Sequence, residues 1–165
     1  MYWILFIMGL IASIVIAMIA GGLATPRAHT VSKSALLSAS VNEVWHTIRT
    51  VSAFPAWRSD IDDVELVDTA QSQVRWREMS TRRSMLLGIV TEDAPHQLVV
   101  RILDDDLPFS GEWEWTLRAE GASTHVTITE RGEIGNPIFR LIGTYFIGHT
   151  KMIERVLHDL ARKHG

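Results

Sequence analysis

No charged side chain occurs before Arg27. Of residues 1–24, 20 are apolar, the exceptions being Gly9, Ser13, Gly21 and Gly22. About 20 helical residues rising 1.5 Å each match the hydrocarbon core of a bilayer. Residues 1–24 are therefore expected to form a transmembrane anchor, with Tyr2 and Trp3 suited to the interface at its outer end. The alternative is a cleaved secretory signal and a secreted domain. Against it, the segment has no basic n-region and a longer apolar run than signals use; for it, Gly22-Leu23-Ala24 offers small residues for cleavage. Arg27 and Lys33 follow the span, so the positive-inside bias places the remainder in the cytoplasm. Gly9, Ser13, Ala17 and Gly21 recur every four residues, a small-residue stripe through which two such helices can pair as a homodimer.

The rest of the chain carries all 16 Lys and Arg and all 19 Asp and Glu. Its apolar share is ordinary for a soluble domain, and its length suffices to bury a core. This excludes a polytopic membrane protein and a disordered chain; the net charge of −3 speaks against a nucleic-acid partner. With no cysteine there are no disulfides, and the histidines show no metal-ligand spacing, so no metal or cofactor is expected.

Residues 25–29, with Thr25-Pro26, read as a linker and 30–165 as one domain, with a first strand expected from His29, at their boundary, to Leu37. Ser40 with Glu43 three residues on has the capping-box spacing and opens a helix through Val44, Trp45 and Ile48. Phe54-Pro55 must end it, because proline lacks an N–H and restricts its predecessor. Short alternating runs follow: 64–66, 74–77, 83–91, 97–103, 109–117 and 124–131. Turn signals at 68–72, 94–96, 104–106 and 120–122 separate them, the pattern of an antiparallel meander. Asn136-Pro137 is an N-cap with proline at the first helical position, and apolar residues at helical spacing from Ile138 to Leu160 predict one long final helix. The fold class is α+β, a long C-terminal helix against a curved antiparallel sheet.

Leu37-Ser38-Ala39-Ser40 leading into Val44-Trp45, then Phe54-Pro55-Ala56-Trp57, Gly111-Glu112-Trp113-Glu114-Trp115, Thr129-Glu130-Arg131-Gly132 and the closing helix resemble the SRPBCC superfamily. These are the START-like, helix-grip proteins, and the similarity is greatest to their polyketide cyclase/dehydrase-like branch. The resemblance spans roughly residues 30–163. It implies a sheet wrapped around a long helix and enclosing an apolar cavity for a small hydrophobic ligand such as a lipid, quinone or polyketide. Most such proteins bind or transfer their ligand, and fewer are enzymes of cyclase or dehydratase type. The Rieske hydroxylase branch needs cysteines that this chain lacks.

Alternation places Gly111, Trp113, Trp115 and Leu117 on one face of a strand and Glu112 and Glu114 on the other. Glu130 shares a face with Val126 and Ile128. It reads either as a polar anchor or general acid/base within the cavity, with Arg101, Arg75 or Arg77 as partner, or as a solvated or ion-paired strand end. Tyr145 and His149 fall on the apolar side of the final helix, as cavity-facing polar groups or as satisfied core residues. Trp45 and Trp57 suit the core, whereas Trp76, Trp113 and Trp115 suit core or cavity wall. The candidate ligand-binding set is Trp57, Trp76, Arg101, Trp113, Trp115, Glu130, Tyr145 and His149, with Glu130, His149 and Tyr145 as the catalytic candidates. The expected function is a membrane-anchored hydrophobic-ligand binder. The alternatives are a cyclase/dehydratase and a membrane-associated assembly protein with a vestigial cavity.

Overall fold

The computed structural model of the chain describes residues 2–67, 74–81, 83–144 and 150–165. Helix α1 spans Tyr2–Ala24 and is followed by β1, Ala28–Leu37. Only three residues separate them, so the strand begins inside the stretch expected to be linker. Helix α2 (Val41–Arg49) starts as its sequence requires. The Ser40 hydroxyl accepts from the Glu43 N–H, and the Glu43 carboxylate accepts from the Ser40 N–H at 2.8 Å. Val44 and Ile48 are its buried positions. A 3-10 turn, Val51–Ala56, replaces the helix where Pro55 intervenes, and it buries Val51 and Phe54.

Six strands then run as a meander: β2 (Asp63–Val67), β3 (Arg75–Ser80), β4 (Arg83–Asp93), β5 (Gln97–Ile102), β6 (Phe109–Glu120) and β7 (Ser123–Ile134). The first turn signal, 68–72, lies outside the described residues. All pairings are antiparallel, in the order β1-β7-β6-β5-β4-β3-β2, so the chain's first strand lies beside its last. Between Ile89 and Thr91 the register of β4 shifts against β5, a bulge of the kind that bends a sheet. At the β6–β7 turn Gly121 has φ +64°, which an L side chain rarely adopts.

The apolar stretch from Ile138 to Leu160, read from the sequence as one helix, serves two different partners. Helix α4 (Lys151–His164) lies against the sheet, where Ile153, Val156, Leu157 and Leu160 join the core. Burying each is worth roughly 1.5–3 kcal/mol. Helix α3 (Pro137–Ile142), capped by the Asn136 side chain on the N–H groups of Ile138 and Phe139, packs instead against α1. Helical periodicity reports an apolar face but not what covers it. Residues 145–149, between the two helices, lie outside the described residues.

Along α1 the side chains are exposed until its last turns, where Gly22 is buried. A side chain on Gly22 would overlap the Pro137 carbonyl, and the Leu141 side chain lies over Gly21. One end of the small-residue stripe is thus covered by α3 of the same chain, while Gly9 faces open space. The joint is completed by Arg140, 4% exposed. Its guanidinium donates to Gly22 O (3.1 Å), Thr25 O (3.0 Å), Ile134 O (3.1 Å) and Gly135 O (3.0 Å). Carbonyls at a helix C-terminus lack intrahelical donors and carry partial negative charge, so a buried cation there is doubly favoured.

Candidate functional site

The face of the sheet turned toward α4 is set by alternation. Val126 and Ile128 on β7 are buried, and Glu130 follows them on the same face. Trp113 is directly opposite Glu130 on β6, and Val31 is opposite on β1. This register lets the Trp113 indole N–H donate to Glu130 Oε2 at 2.8 Å. The other carboxylate oxygen meets His29 Nε2 at 3.1 Å, with the two side chains 16% and 18% exposed. Room for the imidazole comes from Gly132, paired with His29, since a Cβ there would overlap the ring. A carboxylate taken from water needs such partners, and here an indole and an imidazole supply them.

Glu130, His29 and Trp113 line a cavity of about 360 Å³, whose surface is otherwise largely apolar, with Met85, Ile102, Phe109, Phe139 and Met152, and whose border also carries Arg83, Glu112, Glu133 and Lys151. That volume is near the lower end of the roughly 300–1,000 Å³ typical of small-molecule sites. Trp113, Met85, Arg83 and Met152 also border an inner recess of about 50 Å³, enclosed by Phe54, Trp76, Leu98, Val100, Trp115 and Ile128. The arrangement suits an apolar molecule with one polar atom near Glu130, or proton transfer at that atom through Glu130 and His29.

A second polar group reaches the inner recess. Arg58 donates to Glu78 Oε1 at 3.1 Å and forks onto Asp60 at 2.8 and 3.1 Å, while the Trp76 indole N–H donates to the same Glu78 oxygen at 3.1 Å. The guanidinium also lies 5.2 Å from the Phe54 ring centroid, a cation–π distance. With all three charged side chains under 10% exposed, this is a buried, fully partnered ion cluster.

The sequence candidates separate accordingly. Trp76 and Trp115 line the inner recess, Glu130 the larger cavity, and Trp113 both. Trp57 is buried in the core with its ring edge-on to Phe54, and it lines neither space. Arg101 is on the outer face, half exposed and bonded to Glu112 at 2.9 Å, so it does not partner Glu130. Arg75 and Arg77 alternate with the inward Trp76 and Glu78 and likewise belong to the outer side of β3. Glu112 and Glu114 take the outer face as expected; there the Arg131 guanidinium and the Gln97 amide hold the Glu114 carboxyl below its usual range. Tyr145 and His149 lie outside the described residues. The partner that sequence reasoning missed is His29, placed where the linker meets the first strand and given no role in the site. The signal was present in the alternation of His29, Val31, Ala35 and Leu37, which places the histidine on the buried face of β1.

The profile of a family described as "Polyketide cyclase / dehydrase and lipid transport" matches residues 28–165. No curated protein matches the sequence. Among solved structures, a START superfamily protein from Mycobacterium smegmatis is 17% identical, with TM-score 0.62 over 82% of this chain and 97% of that one. The Zhui aromatase/cyclase from Streptomyces sp. R1128 is 12% identical, with TM-score 0.64 over 82% and 93%. Norcoclaurine synthase from Thalictrum flavum is 9% identical, with TM-score 0.65 over 87% and 90%. At these identities the likeness is one of fold, the START-like helix grip.

Proposed function

Since the chain belongs to the polyketide cyclase/dehydrase and lipid transport family, we propose that it binds a small hydrophobic molecule between the sheet and α4 and holds that site at a membrane through α1. The observation that carries this reading is Glu130, pinned by Trp113 and His29 on the wall of a largely apolar cavity. An oriented acceptor in a largely apolar space favours a mostly apolar ligand with a polar atom to meet it, such as a quinone, sterol-like lipid or phenol. Retention of α1 is supported by Arg140: cleavage after Ala24 would remove the Gly22 carbonyl from a buried guanidinium. Arg27 and Lys33 favour a cytoplasmic domain.

The test is native mass spectrometry of the full chain purified from membranes, with titration of its tryptophan fluorescence by ubiquinone-1. A co-purifying lipid-like mass, or saturable quenching lost on filling the cavity with Ile102→Trp, is expected. Neither signal would leave the assembly-protein reading in its place.

A second reading follows from the same pair. His29 and Glu130 at 3.1 Å on a cavity wall have the geometry for proton transfer in a cyclase or dehydratase. Turnover of a poly-β-keto thioester by the wild type, abolished in Glu130→Gln, would establish it. No turnover in the presence of saturable ligand binding would leave the binder.

A further inference from the structure

We infer that α3 is the sill across which the cavity exchanges ligand directly with the bilayer, because Arg140 fixes the domain on the end of α1 with the cavity mouth against the lipid interface. The inference rests on reading α1 as a membrane span and the cavity as a binding site.

At 23 residues, α1 is about 34 Å long, which fills a bilayer core and brings Gly21–Thr25 to the interface. Arg140 joins this end of the span to the end of β7: two of its carbonyl partners, Gly22 and Thr25, belong to α1 and the residue after it, and two, Ile134 and Gly135, end the sheet. Only a guanidinium offers donors in a fixed planar fork to all four. The Ile134 N–H donates to Arg27 O at 2.9 Å, tightening the same junction. Ile134 pairs with Phe109, so the membrane-proximal end of β6–β7 is the end that opens into the cavity. The Gly121 turn is at the other end of 12-residue strands, roughly 40 Å away.

Phe139 is the residue on which these facts converge. It lines the cavity, yet it is 53% exposed on a helix that packs against the end of the span. Leu23, also exposed, is on the last turn of α1. A phenyl ring open to water is unfavourable, whereas at the lipid interface it is solvated by acyl chains. Gly143, on the same segment, borders the cavity without a side chain to block it. A ligand already dissolved in the leaflet then reaches Glu130 across α3 without crossing water.

The chain has no cysteine, so single labelling sites are available in the full-length protein. Phe139→Cys and Ala122→Cys, the latter on the β6–β7 turn, are labelled with bimane and reconstituted in phosphatidylcholine vesicles containing 5-doxyl lipid. Quenching at 139 should exceed that at 122 several-fold, and Arg140→Gln should remove most of the difference. Equal quenching at the two sites in the wild type would overturn the inference. Uptake of ubiquinone-1 from vesicles, followed by tryptophan quenching, supplies the second readout. Arg140→Gln should retain affinity in detergent and slow uptake several-fold; unchanged uptake overturns the inference. Loss of ubiquinone-1 binding by the wild type in detergent would instead count against the binding reading, with the doxyl comparison still deciding where α3 lies.

Discussion

Trp113 and Glu130 face each other across β6 and β7, and the indole N–H donates to the carboxylate at 2.8 Å. The register that makes them opposite also aims the carboxylate into the cavity, with His29 closing its other side. Trp113→Phe keeps most of the ring but removes the donor. Hydrogen bonds to charged groups contribute about 1.5–3 kcal/mol, so a loss of that order is expected in chemical denaturation of the detergent-solubilised chain. Ubiquinone-1 affinity should fall as well, because Glu130 loses its orientation. Wild-type stability and affinity in Trp113→Phe would mean that the indole does not position the acid.

Arg58 holds Asp60 and Glu78 together in the interior. Removing one member of a buried ion pair strands the other, at about 3–5 kcal/mol. Arg58→Met leaves Glu78 to the Trp76 indole and Asp60 to Arg83 at 3.7 Å, and should approach the lower end of that range in urea denaturation. Glu78→Gln should cost less, since the amide oxygen still accepts from the Trp76 indole and from Arg58. A smaller loss in Arg58→Met than in Glu78→Gln would contradict this assignment.

Much of this architecture was legible because it follows from local chemistry. Ser40 with Glu43, Asn136 with Pro137, and the alternating strands each specify their own element. The inward direction of Glu130 followed from parity with Val126 and Ile128. Its partners did not, because they depend on which strands are neighbours. The return of β1 beside β7 brings His29 to a residue 101 positions away, and no periodicity carries that. For the same reason Arg101 was a reasonable candidate from its spacing, although it pairs with Glu112 on the opposite face. The division of labour between α3 and α4 was hidden in the same way: both are amphipathic, and only the fold decides that one covers the sheet and the other meets α1.

Asp159 ties α4 to the segment after the 3-10 turn, accepting from the Ser59 N–H and hydroxyl at 2.7 Å each and from Arg162 at 2.9 Å. Burial pushes its carboxyl up, but the Ser59 bonds and Arg162 outweigh burial and hold it below its ordinary value. A depressed folded-state value stabilises the fold at pH above the unfolded value of about 3.9, and the contribution is lost as pH falls through the lower folded value. The stability gap between wild type and Asp159→Asn should therefore be full at neutral pH and shrink on acidification below about pH 4. Thermal denaturation of both proteins from pH 7 to pH 3 measures it. A gap that widens on acidification would reverse the assignment.

Gly22 and Gly9 share one apolar helix but meet different surroundings. At Gly22 a Cβ would overlap the Pro137 backbone, which cannot yield without moving α3, whereas at Gly9 nothing lies within 4 Å. Gly22→Val should therefore push α3 off α1 and loosen the carbonyls of Gly22 and Thr25 from Arg140. The short connection after α1 contains Arg27, so trypsin digestion of the full chain in vesicles reads this directly. Cleavage after Arg27 should accelerate several-fold in Gly22→Val and stay at the wild-type rate in Gly9→Val. Equal rates in all three would mean that α3 is not seated on α1 in the membrane. Acceleration in Gly9→Val alone would locate the sensitive contact between spans, at the stripe Gly9 shares with Ser13 and Ala17, rather than at the joint with the domain.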